Sequence, residues 1–297
     1  LRYLQIHKGA WPTMNIPHAL RRSALLLIIL CLFACGEEPA SSGDVTFTFD
    51  DWAGPAITVN MYVPEAADAS TPIVFVMHGA SRDLPRYYAD WRIKGEERGF
   101  IVVVPYFSKE HFATAARYNL GHVFDPDTGK QRKPSEWTFA AIEPLFDAVV
   151  DMTASTRESY TLFGHSAGSQ FVHRFLYYVP EARTSRAIAA NAGWYTMPDF
   201  GVDWPYGLAD SGVPEDVLAD YLARDLVVLL GDADTDRTDD SLRKTPEAEL
   251  QGQHRFDRGQ TFFRVARARA EELGVDFGWQ LQTAVSYTHL TLPTITE

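Results

Sequence analysis

Five consecutive residues, Gly164-His165-Ser166-Ala167-Gly168, have the spacing of a serine nucleophile held on a tight turn. The preceding stretch 160–163 reads as a buried strand and 168–178 as a helix. A strand-to-helix turn lifts the hydroxyl clear of a sheet edge. The small residues around it let strand and helix approach, and the helix N-terminus favours negative charge. A serine so placed attacks carbonyl carbon. The competing reading is a turn whose glycines serve packing only.

Such an attack builds negative charge on the carbonyl oxygen, and fixed donors there lower the barrier. His78-Gly79-Ala80 follows the apolar run 72–77. An N–H from this turn, that of Ala80 or alternatively Ser81, can join the N–H of Ala167. A plain turn with a hydrogen-bonded histidine is the alternative. An acid is expected after the run Leu226–Leu230, in Gly231-Asp232-Ala233-Asp234-Thr235-Asp236. A carboxylate at a strand end can orient a histidine and stabilise its cation. Asp234 fits a G-x-x-D spacing and Asp236 is the runner-up. The alternating aspartates also raise a calcium loop, but Arg237 and Arg243 stand where that loop needs glycine and glutamate. Only His254 and His289 follow Asp234. His254 precedes a predicted helix and reads as a loop or capping residue. His289 follows the last predicted strand, where a base is wanted.

These residues need a scaffold. Segments 45–49 and 57–63 alternate with period two and predict a leading antiparallel hairpin. Short apolar runs at 72–77, 100–104, 160–163, 187–190, 226–230 and 277–282 predict further strands. Apolar spacing of three or four predicts helices over 87–98, 138–152, 168–178 and 261–273. Strand–helix alternation implies an α/β protein with a mostly parallel sheet covered on both faces. Two intervals, 106–137 and 192–224, are long and aromatic-rich, and 192–224 reads as a lid-like insertion. Within it Trp194 and Tyr195 are candidates to wall a substrate pocket.

Composition narrows the function. The chain has 297 residues, 46% hydrophobic, with a net charge of −12. A surface that acidic repels phosphate backbones, so no nucleic-acid partner is expected. Two cysteines, Cys31 and Cys35, exclude a disulfide scaffold and a cysteine zinc site. No histidine spacing suggests a metal.

The two ends read differently from the domain expected over 45–284. Residues 1–13 precede the first methionine and read as upstream translation. Residues 14–35 combine Arg21-Arg22, an apolar run over 24–34 and a terminal Ala34-Cys35. That run is short for a membrane span and resembles a bacterial lipoprotein signal, in which Cys35 is acylated. Residues 36–44 read as a linker. The expectation is an exported protein anchored by lipid at the periplasmic or cell-surface face. Residues 285–294 resemble one reading frame of a common sequencing adapter, so 285–297, including His289, is expected to be an adapter-derived tail.

Over about residues 55–284 the chain resembles the α/β-hydrolase superfamily, in its esterase and poly(3-hydroxybutyrate) depolymerase-like group. The resemblance rests on His78-Gly79, on Gly164-His165-Ser166-Ala167-Gly168, on Asn191-Ala192-Gly193-Trp194-Tyr195 and on Gly231-x-x-Asp234. It implies ester hydrolysis through an acyl-enzyme, with Ser166 attacking, a histidine shuttling the proton and Asp234 orienting it. It implies no metal or organic cofactor, and a small-molecule or polymeric ester as substrate. A serine peptidase of the same fold and a non-catalytic binding protein on that scaffold are the alternatives.

Overall fold

The computed structural model describes residues 42–284. Cys35 and His289 lie outside the described residues, as do the predicted signal and tail. Eight strands form one sheet in the order β1-β2-β4-β3-β5-β6-β7-β8. They are β1 (Gly43–Phe49), β2 (Ile57–Val63), β3 (Ile73–Met77), β4 (Ile101–Tyr106), β5 (Tyr160–His165), β6 (Thr184–Ala190), β7 (Leu226–Gly231) and β8 (Gln280–Ala284). The β1–β2 and β2–β4 pairs are antiparallel and every later pair is parallel.

The burial of each strand follows its place. Edge strand β1 alternates between half-buried and exposed residues, because one face meets solvent. Strands β3 and β7 are buried at every position, which is why they read as uninterrupted apolar runs. One face of the sheet packs through Val74, Val76, Val102 and Val104 against Trp91 of α1 (Leu84–Arg98). The other packs against α2 (Ile142–Thr153), α3 (Ala167–Tyr178) and α6 (Arg255–Leu273), through Phe146, Phe171, Phe175 and Phe262 among others. Two short helices, α4 (Val217–Ala223) and α5 (Pro246–Gln251), complete the described fold. No helix among the described residues is long and apolar enough to cross a membrane.

The sequence reading differs from the structure mainly at element ends. The last strand begins at Gln280 rather than Phe277. Gly278 donates its N–H to Leu222 O, and Trp279 turns into the core, its indole N–H donating to Tyr221 O. Helix α6 starts six residues earlier than its apolar pattern, because its first turn is charged. His254 caps it, accepting from the N–H of Asp257 at 3.2 Å. Segment 192–216 is not loose: Tyr195, Leu208 and Val213 from it are buried in the main core.

Candidate active site

The turn after β5 is strained in the way a nucleophile requires. Ser166 has φ 57° and ψ −113°, outside the ordinary regions for a residue with a Cβ. Its N–H donates to Ala190 O at 2.9 Å, which ties the turn to β6. The flanking glycines are steric necessities. A Cβ on Gly164 would stand 2.2 Å from Gly168 O, and one on Gly168 would stand 2.0 Å from Met77 O. Strand β5, helix α3 and the end of β3 therefore meet at van der Waals contact around a partly exposed Ser166.

The turn after β3 is held by His78, which is fully buried. Its Nε2 accepts from the N–H of Phe107 at 3.1 Å, and its Nδ1–H faces Gly79 O at 3.2 Å. Tyr118 stacks on the imidazole and donates its hydroxyl to His78 O at 2.8 Å. Burial, with Arg82 close by, pushes the imidazole down to about 3, so it stays neutral. His78 is thus a fastener, and it presents Ala80 and Ser81 beside Ser166. Both line the same cavity as Ala167.

Two cavities meet at Ser166 and His165. The larger, about 680 Å3, runs past Ala80, Ala167, Gln170, Gly193 and Trp194. The smaller, about 250 Å3, is bounded by Asn191, Asp234, Asp236 and Asp239. His165 bonds the Tyr87 hydroxyl through Nδ1 at 2.8 Å, and burial pushes its imidazole down to about 4.

Asp234 follows the fully buried β7 and is 9% exposed. Its Oδ1 accepts from Arg255 Nη1 at 3.1 Å, and the same nitrogen donates to Asp239 Oδ2 at 2.9 Å. That guanidinium holds the Asp239 carboxyl well below the usual range. Asp236 is exposed, and its carboxylate is engaged by the N–H and hydroxyl of Thr238. The structure thus separates the two candidates: Asp234 is the buried carboxylate and Asp236 caps a surface turn. Among the described residues no three His, Cys, Asp or Glu side chains gather as metal ligands.

Of the two aromatic candidates, Trp194 lines the larger cavity and Tyr195 does not. The Trp194 ring carries two guanidinium groups, Arg174 at 4.1 Å and Arg243 at 4.8 Å from its centroid. Tyr195 is fully buried and stacks on Phe262 at 4.5 Å, on the core side of the chain. The expectation that it walls the pocket is corrected: the Tyr195 ring is held in the core against Phe262 and His173 rather than at the cavity.

Sequence reasoning missed the arginines. Arg82, Arg86, Arg243 and Arg255 all line the larger cavity, against Asp83 and Asp240. Buried Arg82 donates to the carbonyls of Gly79 and Phe112 and stacks on Tyr118. Arg258, buried in α6, donates to the carbonyls of Gly193, Arg243 and Gly252. Carbonyls accept from these guanidinium groups but leave the positive charge uncancelled. The one sequence signal was Arg174, a charge amid the apolar Phe171, Val172, Phe175 and Leu176 of a buried helix.

A mostly parallel sheet with a leading antiparallel hairpin and a strained serine turn at the end of β5 defines an α/β-hydrolase. Known structures agree. The chain is 45% identical to poly(aspartic acid) hydrolase-1 from Sphingomonas sp. KT-1, over 82% of this chain and 92% of that one, with a TM-score of 0.80. It is 34% identical to LpqC, a poly(3-hydroxybutyrate) depolymerase from Bordetella parapertussis, over 82% and 84%, with a TM-score of 0.76. An S-formylglutathione hydrolase from Agrobacterium tumefaciens shares the fold at 16% identity, over 85% of this chain and 92% of that one, with a TM-score of 0.53. No family model and no curated protein matches the chain. The chain belongs to the α/β-hydrolase superfamily, in its poly(3-hydroxybutyrate) depolymerase-like group, and is a hydrolase.

Proposed function

We propose that the chain is a serine hydrolase that cleaves carboxylic esters through an acyl-enzyme formed on Ser166. The carrying observation is the strained Ser166 at the junction of two cavities of opposite character. Ser166 Oγ attacks the ester carbonyl and the alcohol leaves with a proton. Water then attacks the acyl-enzyme and releases the acid. N–H groups of Ala167 and of Ala80 or Ser81 take the developing oxyanion. Asp234 orients the histidine that carries the proton. For that histidine the sequence offers His289, outside the described residues. Cys35 acylation would anchor the protein at the membrane, and loss of palmitate labelling in Cys35→Ser tests that.

The arginines support a substrate that carries carboxylates. Arg82 and Arg243 have no carboxylate partner among the described residues, and Arg243 is exposed at the cavity. A second reading draws on the relative named a poly(aspartic acid) hydrolase. The bond cut would then be an amide between acidic residues. The test is turnover of a neutral p-nitrophenyl ester, a p-nitrophenyl ester bearing a free carboxylate, and poly(aspartic acid), by the native chain and by Ser166→Ala. The native chain is expected to prefer the charged ester. The variant is expected to lose about 10^3-fold or more on every substrate cleaved. Unchanged turnover in the variant would refute the nucleophile.

A further inference from the structure

Gln170 stands one helical turn after Ser166 on α3. Its backbone N–H donates to Ser166 O at 3.1 Å, and both residues line the larger cavity. The side chain is nearly buried, and Gln170 lines the larger cavity. Its amide oxygen is already engaged. Asn119 Nδ2 donates to Oε1 at 2.8 Å, and Arg174 Nη1 approaches the same oxygen at 3.4 Å. A guanidinium can only donate, so the side facing Arg174 must be the oxygen and the NH2 must point the other way. That NH2 has no hydrogen-bond partner among the described residues. It lies beside Gly193, where an added Cβ would stand 3.4 Å from Nε2. Gly193 itself lines the cavity.

Arg174 is the costly part of this arrangement. It is fully buried and has no carboxylate partner among the described residues. It donates to Thr196 Oγ1 at 2.7 Å and to the carbonyls of Gln170 and Asn119, under the ring of Trp194. Burial pulls its ordinary value down to about 9, and its Nη2 is left without a partner. A buried cation of this kind costs stability. Besides tying Thr196 and backing Trp194, its fork holds the Gln170 amide oxygen.

We propose that Gln170 is a substrate-binding donor, its NH2 hydrogen-bonding an acceptor oxygen of the bound substrate beside the bond cleaved at Ser166, with Arg174 and Asn119 as the positioning residues that hold it turned to the cavity. The proposal rests on Ser166 as nucleophile. The acceptor is a carbonyl or a carboxylate oxygen.

Gln170→Glu tests it. This variant keeps the size and both contacts to Oε1, but replaces the NH2 by an oxygen. The full-length native chain and variant are labelled with a fluorophosphonate, and kcat and KM are measured on neutral and carboxylate-bearing p-nitrophenyl esters. The expected result is normal labelling, thermal stability at or above native, and KM raised about 10-fold or more with kcat little changed. A rise on both esters identifies a carbonyl acceptor; a rise on the charged ester alone identifies a carboxylate if the uncharged Gln170→Met shows it too, and a rise confined to Gln170→Glu is repulsion by the added charge and overturns the proposal. Arg174→Lys, which keeps the charge and loses the fork, is expected to raise KM in the same pattern by a smaller factor. Normal labelling with unchanged KM on both esters in Gln170→Glu overturns the proposal. Failure of the native chain to label on Ser166 overturns the nucleophile, and the proposal with it.

Discussion

The two cavities that meet at Ser166 differ in their balance of charge. The larger is lined by Arg82, Arg86, Arg243 and Arg255 against Asp83 and Asp240, and backed by buried Arg174 and Arg258. The smaller is bounded by Asp234, Asp236 and Asp239, with Arg255 reaching into both. Their backing differs too. Arg82, Arg174 and Arg258 meet only carbonyls, hydroxyls and aromatic faces, which leave the cationic charge in place. Arg255 is satisfied by carboxylates, which cancel it. In a chain of net charge −12, a positive cleft focuses anions where the rest of the surface repels them. The negative cavity favours the cation a proton-carrying histidine becomes in the transition state. In the proposed reading Ser166 stands on the boundary, with substrate charge drawn to one side and the base's charge to the other.

The largest effect is expected on the acidic side. Asp234→Asn should lower kcat about 10^4-fold, because the base loses its orienting carboxylate. Steady-state kinetics on a short ester measure it, and a loss under 10-fold would remove Asp234 from the machinery. The next expected effect probes burial and the positive field around the boundary. His78 and His165 are held neutral at about 3 and 4, whereas in the unfolded chain each titrates near 6.5. Below pH 6.5 the unfolded chain therefore binds more protons, and stability falls as pH drops from about 6.5 towards 4. Between pH 7 and 5.5 the two should cost about 2 kcal/mol together, with His173, also pushed down by burial, adding in the same sense. Urea midpoints at the two pH values measure this, and a flat profile would contradict it.

On the cationic side, Arg243→Gln should raise KM about 10-fold for a carboxylate-bearing ester and leave a neutral ester unaffected. Added salt should narrow the native preference for the charged ester. Equal effects on both esters would mean that Arg243 only supports Trp194. The smallest change is expected from Asp236→Asn, within about 3-fold in kcat, since its carboxylate serves the Thr238 turn. A loss exceeding that of Asp234→Asn would move the acid to Asp236.

What could be read from the sequence divides along the same line. Strands β3, β4 and β7 were legible because burial on both faces demands unbroken apolar runs. Ser166 and the turns at Gly79 and Gly231 were legible because their chemistry is local, set by neighbours within a few residues. The arginines were not, since the cavity takes them from positions 82, 86, 243 and 255, in segments with no shared spacing. Gln170 and Asn119 lie 51 residues apart and meet only in the fold. Tyr195 went astray because an aromatic next to Trp194 looks like a second wall, and its core partners His173 and Phe262 lie far off in the sequence. Helices α4 and α5 are too short to show a periodicity.

The central claim is that Ser166 is the nucleophile at this boundary. The most direct measurement is to react the native chain with a fluorophosphonate, digest it and locate the adduct by mass spectrometry while following ester turnover. One adduct per chain is expected, on the peptide carrying Gly164-His165-Ser166-Ala167-Gly168, with turnover lost in proportion. An adduct elsewhere, or full turnover with Ser166 blocked, would contradict the account.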